Sequence, residues 1–476
     1  MLVGVEYNKN ANGIVASYYN KAGKIDRMIK RLNRDDVFNW KLSNGASPYK
    51  SWDEKPVEKA NAYNLSRYRI EEILLSKFTD KERDILYSDN WPVVHYLDIE
   101  VEVNENNDFP DAELAEFPVN LVTMVAGDRI YVLSTMIDLP QDRVDAMERN
   151  VNEYFRQFGI ETNYKAAYFF FETEEKLLTA FFHKILPKVN FITGWNVIEF
   201  DWVTLYNRAE INNIDQFKML WSRKSISRSR IPVHLGMLDY MVICQEFKPI
   251  KMAENYTLDY TADKILGVKK LSHPYGSFYE FQKDPEMFTE YCMIDSCLVQ
   301  LIENERHLLL IAYEMANIAQ LEVSRVFGPV FKTEIFLCRE FYKQGLHMPD
   351  IKKGGVKKKY PGAYVMPPIP GYYNNVGCFD FASQYPNIQI QWYIDPKGYI
   401  GKVNEVNLSE YDARSIVVTK YNTVFHKNDN CASRMIQMRL YNKRFEIKGP
   451  DGELQQIKRR MNALREERAR LMDLKT

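Results

Sequence analysis

At 476 residues the chain is long enough for about three ordinary domains, which excludes a single small binding module, and its 46% hydrophobic content supplies ample material for buried cores. Its 63 basic and 64 acidic residues leave a formal charge of −1, so a uniformly basic, histone-like coat is excluded and any polyanion must be met by local patches. Residues 1–10 carry no basic stretch leading into an apolar core, no run of about 20 apolar residues occurs, and the six scattered cysteines and seven histidines form neither CxxC nor HExxH spacing; the expectation is a soluble, cytoplasmic protein with reduced thiols, no structural zinc and no membrane segment.

Residues 1–92 mix short strand-like runs with polar loops such as 43–55 and carry no recognisable chemical constellation. From Val93 the pattern sharpens. Val93, His95, Leu97, Ile99 and Val101 alternate with Val94, Tyr96, Asp98 and Glu100, the period of two of a strand, so Asp98 and Glu100 share one face. Strands over 119–125 and 130–133, separated by the turn Gly127-Asp128, continue an antiparallel meander. Thr173 is an N-cap for a helix with Glu174 and Glu175 in its first turn and Leu177, Phe181 and Ile185 along one side. A strand over 191–193 follows. Asp284 and Pro285 then open a helix running to about Leu301, whose inner side collects Tyr291, Asp295, Leu298 and Ile302. The order of elements predicts a mixed α/β fold with a sheet covered on at least one side.

A helical stretch over 308–320 precedes a basic loop over 352–362 and a proline- and glycine-rich run over 361–373, which together read as a domain junction. A strand is expected over 376–381, ending in a turn at Tyr385-Pro386. From about Met435 the chain is basic and helical, with a break at Gly449-Pro450-Asp451-Gly452, and its last part sets Ile457, Met461, Leu464 and Leu471 on one stripe that calls for a packing neighbour.

Hydrolysis of a phosphodiester needs a nucleophilic water and a stabilised leaving oxygen, and two divalent ions about 3.5–4 Å apart supply both. Converging carboxylates hold such a pair. The candidates are Asp98 and Glu100 on one strand face, Asp201 just after a strand, and Asp295 one helical turn beyond Tyr291, whose hydroxyl can orient the attacking water. Taken singly, Asp98-x-Glu100 is a common triplet in so acidic a chain, Asp201 is a helix cap, and Tyr291 with Asp295 is a packed tyrosine beside a surface acid. Together they stand in the order and context that a strand, strand, helix nuclease requires.

Three of these segments, Tyr96-Leu-Asp98-Ile-Glu100, Asn196-x-x-x-Phe200-Asp201 and Tyr291-x-x-x-Asp295, resemble the exonuclease motifs of family B DNA polymerases in the form found in T-even-like bacteriophages. Phe379-Asp380-Phe-Ala-Ser383-Gln384-Tyr385-Pro386, with its lead-in Tyr360-Pro-Gly-Ala-Tyr-Val365, resembles the first polymerase motif of that family. The resemblance implies an N-terminal domain over 1–92, an RNase H-like 3′–5′ exonuclease domain over 93–310, a return to the N-terminal domain or a linker over 311–355, a partial palm over 356–434 and the start of the fingers helices over 435–476. It implies that Asp98, Glu100, Asp201 and Asp295 bind two Mg²⁺ or Mn²⁺ ions, that Tyr291 assists the water, and that Asn196 and Phe200 meet the strand being trimmed. In the polymerase half it implies that Asp380 binds the nucleotidyl-transfer metals, Ser383 lies near the incoming triphosphate, Tyr385 excludes a ribose 2′-hydroxyl, and Arg439 and Lys443, one turn apart, grip phosphates. For Arg439 and Lys443 an ordinary solvated basic face is the alternative.

Two departures are visible, Gln384 where many relatives have an apolar residue and Asn387 where serine is common. A larger one is that the second and third polymerase motifs, Lys-x-x-x-Asn-Ser-x-Tyr-Gly and Asp-Thr-Asp, occur nowhere in these residues. A single carboxylate holds two divalent ions poorly. The expectation is therefore the N-terminal polypeptide of a split or truncated polymerase, which trims single-stranded 3′ ends itself and polymerises on primer-template with dNTPs only alongside a C-terminal polypeptide, with replication accessory proteins as further partners. The alternatives are a DNA-binding structural subunit whose exonuclease is idle without its partner, and a free-standing 3′–5′ exonuclease. The acid-free run around Arg223 to Arg230 is either a phosphate-contacting patch or a solvated loop, and the lysines around Gly354-Gly355 either flank bound DNA or form a linker.

Overall fold

The computed structural model describes residues 1–88, 90–108, 110–218, 222–224, 229–350, 364–381, 383–428 and 430–448, with only the backbone described at 222–224. The chain divides into two compact units, Met1–Asp36 with Ile73–Lys332, and Val37–Glu72 with Thr333–Thr476. Residues 1–92 are therefore shared between the units, whereas the sequence reading keeps them together. Backbone pairing explains the division. Strands Leu2–Asn8, Gly13–Tyr19 and Ile25–Arg31 form a closed antiparallel meander, while Tyr49–Ser51 leaves an edge that is filled by Leu346–His347, far along the chain.

The centre of the first unit is a six-stranded mixed sheet. Its strands in chain order are β1 (Val94–Val101), β2 (Val119–Ala126), β3 (Arg129–Ser134), β4 (Lys165–Phe170), β5 (Phe191–Gly194) and β6 (Gly236–Asp239). Their spatial order is β4-β3-β2-β1-β5-β6. The first three make the expected antiparallel meander, and the other three join in parallel. Helices α1 (Gln141–Gln157), α2 (Glu174–Ala180), α3 (Asp201–Ile211), α4 (Leu258–Leu266) and α5 (Pro285–Arg306) cover it on both faces.

The period of two in β1 assigns its side chains. Leu97, Ile99 and Val101 enter a core with Leu177, Phe181 and Trp202 beneath α2 and α3. Tyr96 enters the opposite core with Phe155, Ala262, Leu298 and Ile302 beneath α1, α4 and α5. Asp98 and Glu100 follow Tyr96 on that same face, toward α5.

Both expected helix starts form as read. The Thr173 hydroxyl accepts the Lys176 N–H at 3.3 Å, and the Asp284 carboxylate accepts the Met287 N–H at 3.2 Å with Pro285 in the first turn. The second helix runs beyond the expected end at Leu301 to Arg306, past the buried Glu303, whose carboxylate accepts the Tyr240 hydroxyl at 2.8 Å and the Leu309 N–H at 2.9 Å, and it stops at His307, whose φ is 54°. A polar seam sets the register of α5 on the sheet: the buried Thr123 Oγ1 lies 2.6 Å from Ser296 Oγ and donates to the Cys292 carbonyl at 3.2 Å. Gly194, at the end of β5, is required by a close approach, since a Cβ there would lie 2.2 Å from the Leu97 carbonyl oxygen of β1.

The second unit holds a four-stranded sheet in the order Leu346–His347, Tyr49–Ser51, Pro56–Asn61, Phe38–Leu42. Beside it the buried Glu72 carboxylate accepts from the Trp40 indole at 2.8 Å and from Arg69 at 3.0 Å, and His347 stacks on Trp40 with ring centres 3.9 Å apart. Further along, helices α6 (Gln384–Gln391) and α7 (Ala432–Lys448) are formed. The strand expected over 376–381 is absent: these residues are irregular and exposed, and no described strand pairs with them. A strand alone leaves its N–H and C=O groups unpaired, so sequence alternation without a neighbour does not produce one. Segments Ser222–Lys224 and Arg230–Pro232 pair antiparallel. The lysine loop over 352–359, the break at Gly449-Pro450 and the stripe from Ile457 to Leu471 lie outside the described residues.

The Gly194→Ala substitution is expected to cost about 2 kcal/mol or more in urea unfolding, because backbone rather than a flexible side chain blocks the methyl group. Gly276→Ala, where a Cβ meets nothing within 4 Å, serves as the control and is expected to stay within about 0.5 kcal/mol of the wild type.

Candidate active site

The parallel pairing of β1 with β5 covers only Val94 to Tyr96 of β1. Beyond it β5 ends at Gly194 and the chain leaves the sheet, so the Ile99 N–H has no strand partner on that side. The Asp201 carboxylate fills this place, accepting the Ile99 N–H at 3.0 Å from the start of α3. Asp201 is thereby held between Asp98 and Glu100 in sequence register, and it is buried. The turn that delivers it is fixed from behind by Asp239, a buried carboxylate at the end of β6. Asp239 accepts the N–H groups of Asn196 and Ile198 at 3.2 Å each, and that of Met241 at 2.9 Å. Asn196 itself sits at φ 61°.

From the other side, α5 presents Tyr291, Cys292 and Asp295 on one face. The Cys292 thiol donates to Asp98 Oδ2 at 3.4 Å. Ligand atoms of Asp98, Glu100 and Cys292 all lie within 4.8 Å of one another. Lys270, just after α4, sets its ammonium 2.5 Å from Asp295 Oδ2 and 4.7 Å from the centre of the Tyr291 ring. The other oxygen of Asp295 is buried with no hydrogen-bond partner among the described residues. Asp98, Glu100, Tyr291, Asp295, Lys270 and Phe200 line a cleft of about 280 Å³, with Phe278 on its wall.

The electrostatics follow from this crowding. Burial and the neighbouring Asp295 push the Asp98 carboxyl up to about 7, against the pull of Lys270 and the Cys292 thiol. Burial and Asp98 carry Glu100 well above the ordinary carboxylate range. The same two causes raise Asp201, although its bond from Ile99 pulls the other way. Asp295 is raised by burial and partly relieved by Lys270. Burial alone would lower Lys270, but Asp295 and Tyr291 lift it well above its usual value. Asp98, Glu100 and Asp295 thus share the charge of Lys270, Asp201 is relieved by the Ile99 N–H instead, and each resists ionising. Oxygen donors short of positive charge, one of them unpaired, fit a hard divalent cation.

The residues singled out from the sequence fall into two groups. Asp98, Glu100, Asp201, Tyr291, Asp295 and Phe200 are brought together in the first unit, with Asn196 in the turn behind them. Asp380, Ser383, Tyr385, Arg439 and Lys443 lie in the second unit. There Asp380 is exposed in the irregular segment, Ser383 precedes α6 at φ 51°, and Tyr385 is exposed on α6. On α7, Arg439 lies 3.7 Å from Glu340 and Lys443 lies 3.2 Å from Glu446. Arg444, which the sequence reading passes over, is the α7 side chain that reaches Ser383, donating to its Oγ at 2.6 Å. Lys270 and Asp239 were likewise not legible, since nothing local marks a lysine in Gly267-Val-Lys-Lys270 or an acid after a short strand. Cys292 was within reach, because it lies one turn before Asp295 on the same helical face.

The carboxylate cleft is built on the mixed sheet of the first unit, and the Asp380 segment belongs to the second. Residues 47–261 match the family model for the exonuclease domain of DNA polymerase family B, and residues 324–463 match the model for DNA polymerase family B. The chain belongs to family B of the DNA polymerases and carries its exonuclease domain and part of its polymerase domain. It is 25% identical over 340 residues to the DNA-directed DNA polymerase of Escherichia phage RB69, which takes in 67% of this chain and 37% of that protein. It is 32% identical over 224 residues to the DNA polymerase catalytic subunit of Elephantid herpesvirus 1, covering 42% of this chain and 21% of the relative. Against the DNA polymerase delta catalytic subunit of Mesocricetus auratus it is 27% identical over 246 residues, covering 46% and 22%. The chain thus spans less than half the length of each of these relatives.

Because the folded Asp98 carboxyl titrates near 7 rather than at its ordinary 3.8, ionising it costs stability that a protonated or neutral side chain does not. In metal-free buffer the wild type and Asp98→Asn should unfold together near pH 4. As pH rises from about 4 to 7 the wild type should fall progressively behind, by about 1 kcal/mol or more, with the gap levelling off above 7, in paired thermal melts. A gap that opened instead on acidification would contradict this electrostatic account.

Proposed function

We propose that this chain removes nucleotides from the 3′ end of DNA with the aid of divalent cations, as the proofreading part of a family B DNA polymerase. The observation that carries this reading is the meeting of Asp98, Glu100 and Asp295, from one strand and one helix, on a single cleft, with Asp201 held next to them by the Ile99 N–H. In it these four side chains hold two Mg²⁺ or Mn²⁺ ions, which when bound polarise the scissile phosphate and lower the pKa of a coordinated water. Tyr291, held beside the Lys270 ammonium, orients that water through its hydroxyl. Phe200 and Phe278 offer the terminal nucleoside apolar walls on which to stack. Asn196 contacts the strand from the turn that Asp239 braces. An RNase H-like topology for the exonuclease domain agrees with β1 to β3 as an antiparallel meander and β5 joining β1 in parallel.

In the second unit Asp380 is assigned to the metals of nucleotidyl transfer, Ser383 and Arg444 to the triphosphate of an incoming dNTP, and Tyr385 to rejection of a 2′-hydroxyl. Arg439 and Lys443 on α7 add phosphate contacts. Synthesis on primer-template calls for the further carboxylates of the later polymerase motifs, supplied by a longer chain or by a second polypeptide. No helix among the described residues is long and apolar enough to cross a membrane, and the six cysteines are unpaired, which agrees with work in a reducing compartment such as the cytoplasm of a host cell.

The purified chain should shorten 5′-labelled single-stranded DNA one nucleotide at a time in Mg²⁺, and Asp98→Ala and Asp295→Ala should each slow this by about two orders of magnitude or more on denaturing gels. Equal degradation by all three proteins would refute the assignment of the site.

A further inference from the structure

Mg²⁺ takes oxygen ligands and has no use for a thiol, whereas zinc and cadmium seek sulfur. Buried sulfur stands beside two of the carboxylates that line the cleft. Cys292 Sγ lies 3.4 Å from Asp98 Oδ2, and the Glu100 carboxylate completes a trio within 4.8 Å. A tetrahedral zinc ion with bonds of about 2.3 Å to sulfur and 2.0–2.2 Å to oxygen separates those two atoms by roughly 3.5 Å, so Asp98 and Cys292 already stand at the required bite. A second observation is that Asp295 Oδ1, a buried oxygen lining the same cleft outside that trio, has no hydrogen-bond partner among the described residues, so the cleft holds an unsatisfied donor atom for a cation.

We infer that Asp98, Glu100 and Cys292 form a site for a thiophilic divalent cation, zinc or cadmium, within the carboxylate cleft. The ion forms a sulfur–metal bond as the thiol proton leaves to solvent, and a turn of the Glu100 side chain brings the third ligand in. Drawn toward Cys292, it takes Asp98 and Glu100 from the Mg²⁺ pair and inhibits trimming. The site therefore distinguishes metals by softness as well as charge. This deepens the exonuclease reading, but binding of the ion does not depend on cleavage of DNA.

The test is a Cd²⁺ titration of the full chain, following the ultraviolet thiolate-to-cadmium charge-transfer band. Wild type is compared with Cys292→Ser and with Cys378→Ser, the latter removing an exposed thiol. A saturable band is expected in the wild type and in Cys378→Ser, with Cd²⁺ affinity down by about tenfold or more and the band lost in Cys292→Ser. A band that survives unchanged in Cys292→Ser overturns the inference. Should Cys292→Ser fail to give a native circular dichroism spectrum, Asp98→Asn replaces it, keeping the thiol; an unweakened Cd²⁺ affinity there overturns the inference equally. A band that follows Cys292 in a protein that trims no DNA in Mg²⁺ leaves the cation site standing and removes the exonuclease assignment.

Discussion

The site depends on a backbone group that a sheet leaves unpaired. β5 pairs with β1 only as far as Tyr96, and Gly194 lets the two backbones approach closely before the chain turns away. The Ile99 N–H, three residues beyond Tyr96, is then open to a side chain, and Asp201 claims it. That hydrogen bond joins a strand to a helix and sets one carboxylate between the other two. Had β5 run two residues longer, its own carbonyls would have taken the position and Asp201 would have been displaced from the strand.

Gathering the acids carries an energetic cost that the fold absorbs elsewhere. Asp98, Glu100, Asp201 and Asp295 are all driven away from their ordinary ionisation by burial and by one another, and Lys270 offsets only part of this. The surroundings are correspondingly firm. Two layers of apolar helices grip the sheet, and Thr123 locks α5 through Ser296 and the Cys292 carbonyl. Stability is spent at the cleft, where close, buried carboxylates resist ionising.

Local regularity made much of this legible beforehand. The alternation from Val93 to Val101 located Asp98 and Glu100 on one face because a strand has a fixed period, and Thr173 and Asp284-Pro285 marked helix starts because capping is a short-range rule. Tyr291 and Asp295 share a face by simple helical geometry. What stayed hidden was decided by tertiary packing. Lys270 and Asp239 matter only because the fold carries them to Asp295 and to the turn at Asn196. Residues 376–381, expected as a strand, make none, because no described strand pairs with them. The division of residues 1–92 between two units follows from Leu346–His347 pairing with Tyr49–Ser51, a contact no local pattern announces.

That last pairing bears on how the chain is made. Val37–Glu72 emerges from the ribosome early, yet the residues that satisfy it, His347 against Trp40 and Arg339 against Glu71, arrive only after all of Ile73–Lys332 has been synthesised. The first unit has everything it needs sooner, save the short stretch it shares. Translation thus delivers Trp40, Glu71 and Glu72 with their local partners Arg67 and Arg69, while the stacking of His347 and the bond from Arg339 must wait for the later segment.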